Sequence, residues 1–116
     1  MAKQINMAKQ IDCLFCKIAN KKTDTEIIYE DEDFSAFYDI KPKAPIHILI
    51  VPKKHFESII EIEENGDIEI LGKILAFAAK LAKKFNIENG YRLQFNQGKK
   101  AGQEIDHLHL HLLGFK

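Results

Sequence analysis

The sequence carries no surplus of charge of either sign: 17 basic residues balance 17 acidic ones, for a formal net charge of zero. That excludes a broad electrostatic surface for nucleic acid, although a local basic pocket for one phosphate group stays open. No apolar run reaches the ~18 residues that a transmembrane helix needs, so no membrane partner is expected. The start, Met1-Ala-Lys-Gln-Ile5, lacks the apolar core of a secretory signal, and a cytoplasmic protein is expected. Cysteine is scarce, with two residues, and in a reducing compartment a structural disulfide is not expected. A chain of 116 residues leaves little room for a second domain. Hydrophobic residues make up 46%, enough for one real core.

Met1-Ala-Lys-Gln-Ile-Asn6 is nearly repeated as Met7-Ala-Lys-Gln-Ile-Asp12. So short a stretch is no repeat architecture; it reads as an upstream start, and residues 1–11 are expected to be a disordered extension. Cys13–Asn20 suggests a small helix. Glu26–Glu30 and Phe34–Asp39 read as strands around the acidic turn Asp31-Glu32-Asp33, and Ile46–Val51 is strongly β-prone. Phe56–Ile62 suggests a short helical turn. Residues 67–86 have helical periodicity, with Asn65 as N-cap. Ile68, Leu71, Leu75, Ala78, Ala82 and Phe85 form one apolar stripe; Ile70, Ile74, Phe77 and Leu81 form a second. Together they cover roughly half the circumference, wider than one core face needs, which points to a second subunit on the flank. Tyr91–Asn96 and Ile105–Leu113 are further strands. Strands, long helix, strands is the order of an α+β domain with an antiparallel sheet.

Three of the five histidines lie at alternate positions in His107-Leu-His-Leu-His-Leu112. On a strand, alternation puts His107, His109 and His111 on one face and the leucines on the other. Imidazole serves as nucleophile, general base or metal ligand near neutral pH. Gly98 and Gly102 let backbone N–H groups approach an anion just ahead of this strand. Asn96 stands at that loop's entrance, and His47 lies on the apolar strand. Taken alone, His47 reads as a hydrogen-bonded core histidine and Asn96 as a turn cap. The rival chemistry is a catalytic metal held by the three histidines. Cys13-Leu-Phe-Cys16 reads as a redox pair, half of a zinc site, or two buried small side chains.

The combination resembles the histidine triad (HIT) superfamily, whose signature alternates three histidines with apolar residues. Cys13-Leu-Phe-Cys-Lys-Ile18, Phe37-Tyr-Asp-Ile40, Ala44 through His55 and Gly90 through Gly98 resemble the Hint branch in order and spacing, making 12–116 a HIT domain. The resemblance implies an α+β fold: a five-stranded antiparallel sheet with one long and one short helix, dimerising into a continuous sheet. It implies a purine nucleotide-binding phosphoramidase that hydrolyses nucleoside 5′-phosphoramidates, such as AMP–amine adducts, through a nucleotidyl-histidine. His109 would be the nucleophile, with His111 and His47 orienting the phosphate and a backbone carbonyl taking the Nδ1 proton of His109. Asn96, Gln103 and Glu104 would line the phosphate, Asp39 the ribose, and Phe15, Ile18, Phe37 and Ile40 the base. No cofactor is implied for catalysis; Cys13, Cys16, His55 and His107 match the ligand positions of a structural zinc. Glu104 replaces a serine of animal members, Asp106 an aromatic residue, and Thr23-Asp24 an Ile-Pro, while longer members continue past Lys116. The alternatives are a nucleotide-binding regulator with incidental turnover and a dinucleoside polyphosphate hydrolase.

Overall fold

A computed structural model describes residues 13–116; the extension expected over 1–11 lies outside the described residues. Five strands form one sheet in the order β1-β2-β3-β5-β4: β1 Tyr29–Glu30, β2 Phe34–Tyr38, β3 Ile46–Pro52, β4 Tyr91–Gln94 and β5 Leu110–Gly114. All neighbouring pairs are antiparallel. The helices are α1 Leu14–Ala19, α2 Ile59–Asn65 and α3 Glu69–Lys84, with a 3-10 turn at Lys99–Ala101. Among the described residues one long helix is thus accompanied by two short ones, where a single short helix was expected.

Side-chain alternation divides the sheet into two chemically different faces. Phe34 and Ala36 of β2, Ile48 and Ile50 of β3, and Leu110 and Leu112 of β5 pack against Ile74, Phe77, Ala78, Leu81 and Ala82 of α3. On the opposite face Phe37, Leu49 and Val51 pack against Phe15, Ile18 and Ala19 of α1. Because Ile48 and Ile50 face α3, His47 must face α1. The same parity on β5 sends His111 to the α1 side.

Three local expectations shift. Asn65 closes α2 instead of capping α3: Gly66, at φ 78°, forms the left-handed C-cap of α2, a conformation that glycine adopts without strain. Ile68 precedes α3 with no side-chain cap. The face of α3 that enters the core joins Ile74, Phe77 and Leu81 of the second stripe to Ala78 and Ala82 of the first; Ile68 and Leu75 stay exposed. The histidine strand begins only at Leu110. Its pairing with β3 ends at Ile50↔Leu110, and before it the backbone turns away: Leu108 N–H donates to the Phe56 carbonyl and His107 N–H to Ile105.

Candidate active site

Each triad histidine has its own hydrogen-bond commitment. In β3–β5 pairing His111 faces Leu49 and His47 faces Leu113, so the two imidazoles are diagonal neighbours on one face, within reach of each other. Lys43 N–H donates to His47 Nδ1 at 3.1 Å. A neutral imidazole that accepts at one nitrogen carries its proton on the other. His47 Nε2–H therefore donates to His111 Nδ1 at 2.9 Å, with Asp39 Oδ2 3.4 Å away. By the same logic His111 keeps its proton on Nε2. That atom is buried and has no hydrogen-bond partner in the structure.

His109 is held from a different side. Its Nδ1–H donates to the backbone carbonyl of His107 at 2.8 Å, which leaves the Nε2 lone pair unprotonated. The His109 and His111 rings lie 5.1 Å apart, and Phe15 meets the His109 ring edge-on at 4.9 Å. Burial lowers the pKa of His109 against the opposing pull of the His107 carbonyl, Asp39 and Glu104. Burial also lowers that of His47, and burial with the adjoining His109 and His47 pushes His111 down to about 4. All three imidazoles are thus kept neutral near pH 7. The cleft offers one basic nitrogen beside one unpaired N–H donor, the needs of in-line attack on a phosphorus whose oxygen is held.

Cys13, Cys16, His55 and His107 form a second cluster, with their ligand atoms within 4.8 Å of one another. Cys13 Sγ and Cys16 Sγ each lie 3.3 Å from His107 Nδ1, and Cys16 Sγ is 3.1 Å from His55 Nδ1. Donors around a tetrahedral zinc stand about 3.5 Å apart, and these sulfur–nitrogen separations of 3.1–3.3 Å lie a few tenths of an ångström inside that spacing. His107 Nε2–H donates to the Pro52 carbonyl at 2.9 Å, which orients Nδ1 towards the thiols as a ligating histidine requires. The residues fit a structural zinc. Without metal, burial and the neighbouring Cys13 push the Cys16 thiol up to about 12. Asp39, His47 and His111 also cluster, but the Lys43 N–H on His47 Nδ1 fixes a proton on Nε2, the atom that would have to ligate. A metal on all three triad histidines is not supported either: His107 points to the thiols, and His109 uses Nδ1 on the His107 carbonyl.

The remaining expected residues divide. Phe15, Ile18 and Phe37 lie together beside the histidines, all buried, whereas Ile40 is 92% exposed. Asp39 Oδ1 accepts from Lys41 N–H. Glu104 is exposed and close enough to act on the charge of His109. Gln103 is committed internally: Oε1 accepts from Gly98 N–H, and Nε2 donates to the Glu57 and Ile105 carbonyls. Both its amide protons are used, so it braces the loop and has no donor left for phosphate. Asn96 Oδ1 accepts from Gln94 Nε2. The groups that sequence reading passes over are main-chain ones, Lys43 N–H and the Pro52 carbonyl, and no side-chain pattern signals them. A groove of ≈ 370 Å³ at the far end of β3, lined by Lys53, Lys54, Asp67 and Lys73 among others, includes none of these histidines.

Comparison with known proteins places this geometry among relatives. A family model described as "Scavenger mRNA decapping enzyme C-term binding" matches residues 12–116. The chain is 51% identical over 104 residues to an uncharacterized HIT-like protein of Buchnera aphidicola, covering 89% of this chain and 92% of that one. It is 39% identical over 103 residues to protein HitA of Neisseria gonorrhoeae, covering 89% and 95%. Among solved structures it is similar to a HIT family hydrolase from Legionella pneumophila (47% identity, TM-score 0.84, 89% and 92% covered). A histidine triad protein from Clostridium difficile is also similar (41% identity, TM-score 0.86, 97% and 95% covered).

Proposed function

The chain belongs to the HIT family, and from that premise we propose that it is a hydrolase of nucleoside 5′-phosphoramidates, acting on purine nucleotides joined to an amine. The observation that carries the reading is the pairing of an unprotonated His109 Nε2 with the buried, unpartnered His111 Nε2. The first is a nucleophile, the second a donor for a phosphoryl oxygen. The name of the similar Legionella protein, a HIT family hydrolase, agrees with hydrolysis.

In this mechanism His109 Nε2 bonds to the α-phosphorus as the P–N bond breaks, and the amine departs with a proton drawn from solvent, which the attacking water of the second step gives back. Negative charge growing on the phosphoryl oxygens is met by His111 Nε2–H, whose Nδ1 is supported by His47. Water then attacks the phosphorus and breaks the Nε2–P bond. The nucleoside monophosphate leaves, and His109 returns to its neutral form. Two easier displacements replace one hard one. Asp39 has a carboxylate oxygen near His47 that can accept from ribose hydroxyls, and Phe15, Ile18 and Phe37 supply an apolar wall for the base. A zinc in the Cys2His2 site would supply a cross-link between α1 and the segment before β5, with no open coordination position for substrate. The protein is proposed to work as a cytoplasmic homodimer, paired through the exposed edge strand β4.

The test is amine release from an AMP–amine phosphoramidate with and without a strong chelator. Release should persist with chelator present and fall by at least ~10³-fold in His109→Ala, while AMP binding remains. Turnover retained in His109→Ala would sink the assignment. Tight AMP binding with no release by the unaltered protein would point to a nucleotide-binding regulator, and preference for a dinucleoside polyphosphate to the other hydrolase.

A further inference from the structure

The carbonyl of His107 fixes one atom of the nucleophile, and one hydrogen bond does not fix a ring. His109 can still pivot about that bond unless something holds its flanks. His111 lies on one flank, 5.1 Å away, and Phe15 supplies another contact at 4.9 Å with the ring planes at 78°. His107, His109 and His111 share one segment; Phe15 comes from α1. An edge-to-face contact of this kind is favourable and directional.

The position of Phe15 depends in turn on what holds α1. The helix has six residues, too few to be stable alone. Cys13 is its N-cap, and Cys13 Sγ accepts from Cys16 N–H. Both thiols reach His107 Nδ1, so Phe15 lies between two residues anchored to one imidazole. Its ring is 5% exposed and touches His107 at 6.1 Å, His109 at 4.9 Å and Phe37 at 5.6 Å. The first turn of α1 therefore joins the two clusters mechanically.

We propose that Phe15 is a positioning residue for the nucleophile, and that ligation at Cys13, Cys16, His55 and His107 holds it against the ring of His109. This rests on His109 being the nucleophile, but its decisive readout needs no substrate. The metal acts here as a tether and takes no part in bond breaking. Its loss would leave the His107 carbonyl in place and relax the Phe15 contact.

The experiment uses the full chain with ¹⁵N-labelled histidine and follows solvent exchange of the His109 Nδ1 proton by NMR. Three samples are compared: zinc-loaded protein, the same protein stripped by chelator, and zinc-loaded Phe15→Leu with its metal content measured. Exchange should quicken about tenfold or more in both the stripped protein and Phe15→Leu, although the variant keeps its metal. Its kcat should fall by about ten- to a hundredfold, the scale expected when a reacting group is misplaced. Unchanged exchange in both samples overturns the proposal, and a change in only one overturns the link between ligation and Phe15. A rise in KM with kcat and exchange unchanged would make Phe15 a wall for the base and nothing more. Should Phe15→Leu fail to fold, the loaded and stripped proteins still decide the question. Should the loaded protein release no amine, the proposed function fails while the proton-exchange comparison stands.

Discussion

His111 shows how far surroundings can move a single side chain. Burial, then His109 and His47, push its pKa from the ordinary 6.5 to about 4, against the pull of Asp39 and alongside that of Lys43. Between those two pH values the unfolded chain binds a proton at this position and the folded chain does not. Stability therefore rises with pH across the window and is lost as pH falls from 6.5 towards about 4. Urea midpoints measured through this range should fall with acidity, and His111→Asn should flatten the slope by about one proton per molecule. Parallel curves for the two proteins would contradict the assignment. At this scale the sequence was informative about which histidines to single out, because alternation is a local property. The resemblance anticipated a backbone carbonyl on His109 Nδ1, but the residues themselves did not say which one, nor that Lys43 N–H sets the tautomers of His47 and His111, because backbone groups are the same in every residue.

Among the elements, α1 is the one whose purpose its length conceals. Cys13–Asn20 was legible as a short helix, but no local pattern says that its first turn is fastened to a histidine more than ninety residues away. If zinc fills the site, Cys13→Ser should reduce metal content and melting temperature together, by several degrees for a loss of ~1–2 kcal/mol in a domain of this size. Unchanged metal content, read by atomic emission beside calorimetry, would dismiss the site. Helix α3 shows the complementary limit. Its periodicity was clear, but two adjoining apolar stripes competed for the core. Neither entered whole: Ala78 and Ala82 of the first join Ile74, Phe77 and Leu81 of the second against Phe34, Ile48 and Leu110, a long-range contact that no window along the helix contains. The strand before Leu110 was overextended for a similar reason: alternation continues through His107, but the ladder partner ends in Pro52, whose carbonyl goes to an imidazole.

For the whole molecule, the open question is what covers β4. Among the described residues it pairs only with β5, all four of its residues are exposed, and Leu75 of α3 is also left uncovered. Unpaired edges invite another strand, and the proposed homodimer would satisfy this one with a second copy. Placing a charge there, as in Leu93→Asp, should shift sedimentation from dimer to monomer, with an affinity loss of about tenfold or more. A monomer in the unaltered protein would reject the dimer, and an unaffected dimer in the variant would move the interface away from β4. Alternation and the α+β order were sufficient to anticipate a five-stranded antiparallel sheet; they do not say which edge another subunit would use.

The acceptor that holds the His109 proton belongs to the main chain at position 107. A carboxylate in that place could be protonated in acid or deleted by one codon change. A peptide carbonyl can be neither, and every amino acid supplies it. The side chain at 107 is consequently at liberty to acquire or abandon a metal-binding task through mutation without erasing the group that sets the nucleophile's tautomer. Removing that acceptor would require chemical replacement of the amide itself or a displaced backbone, which makes this part of the centre unusually resistant to genetic drift.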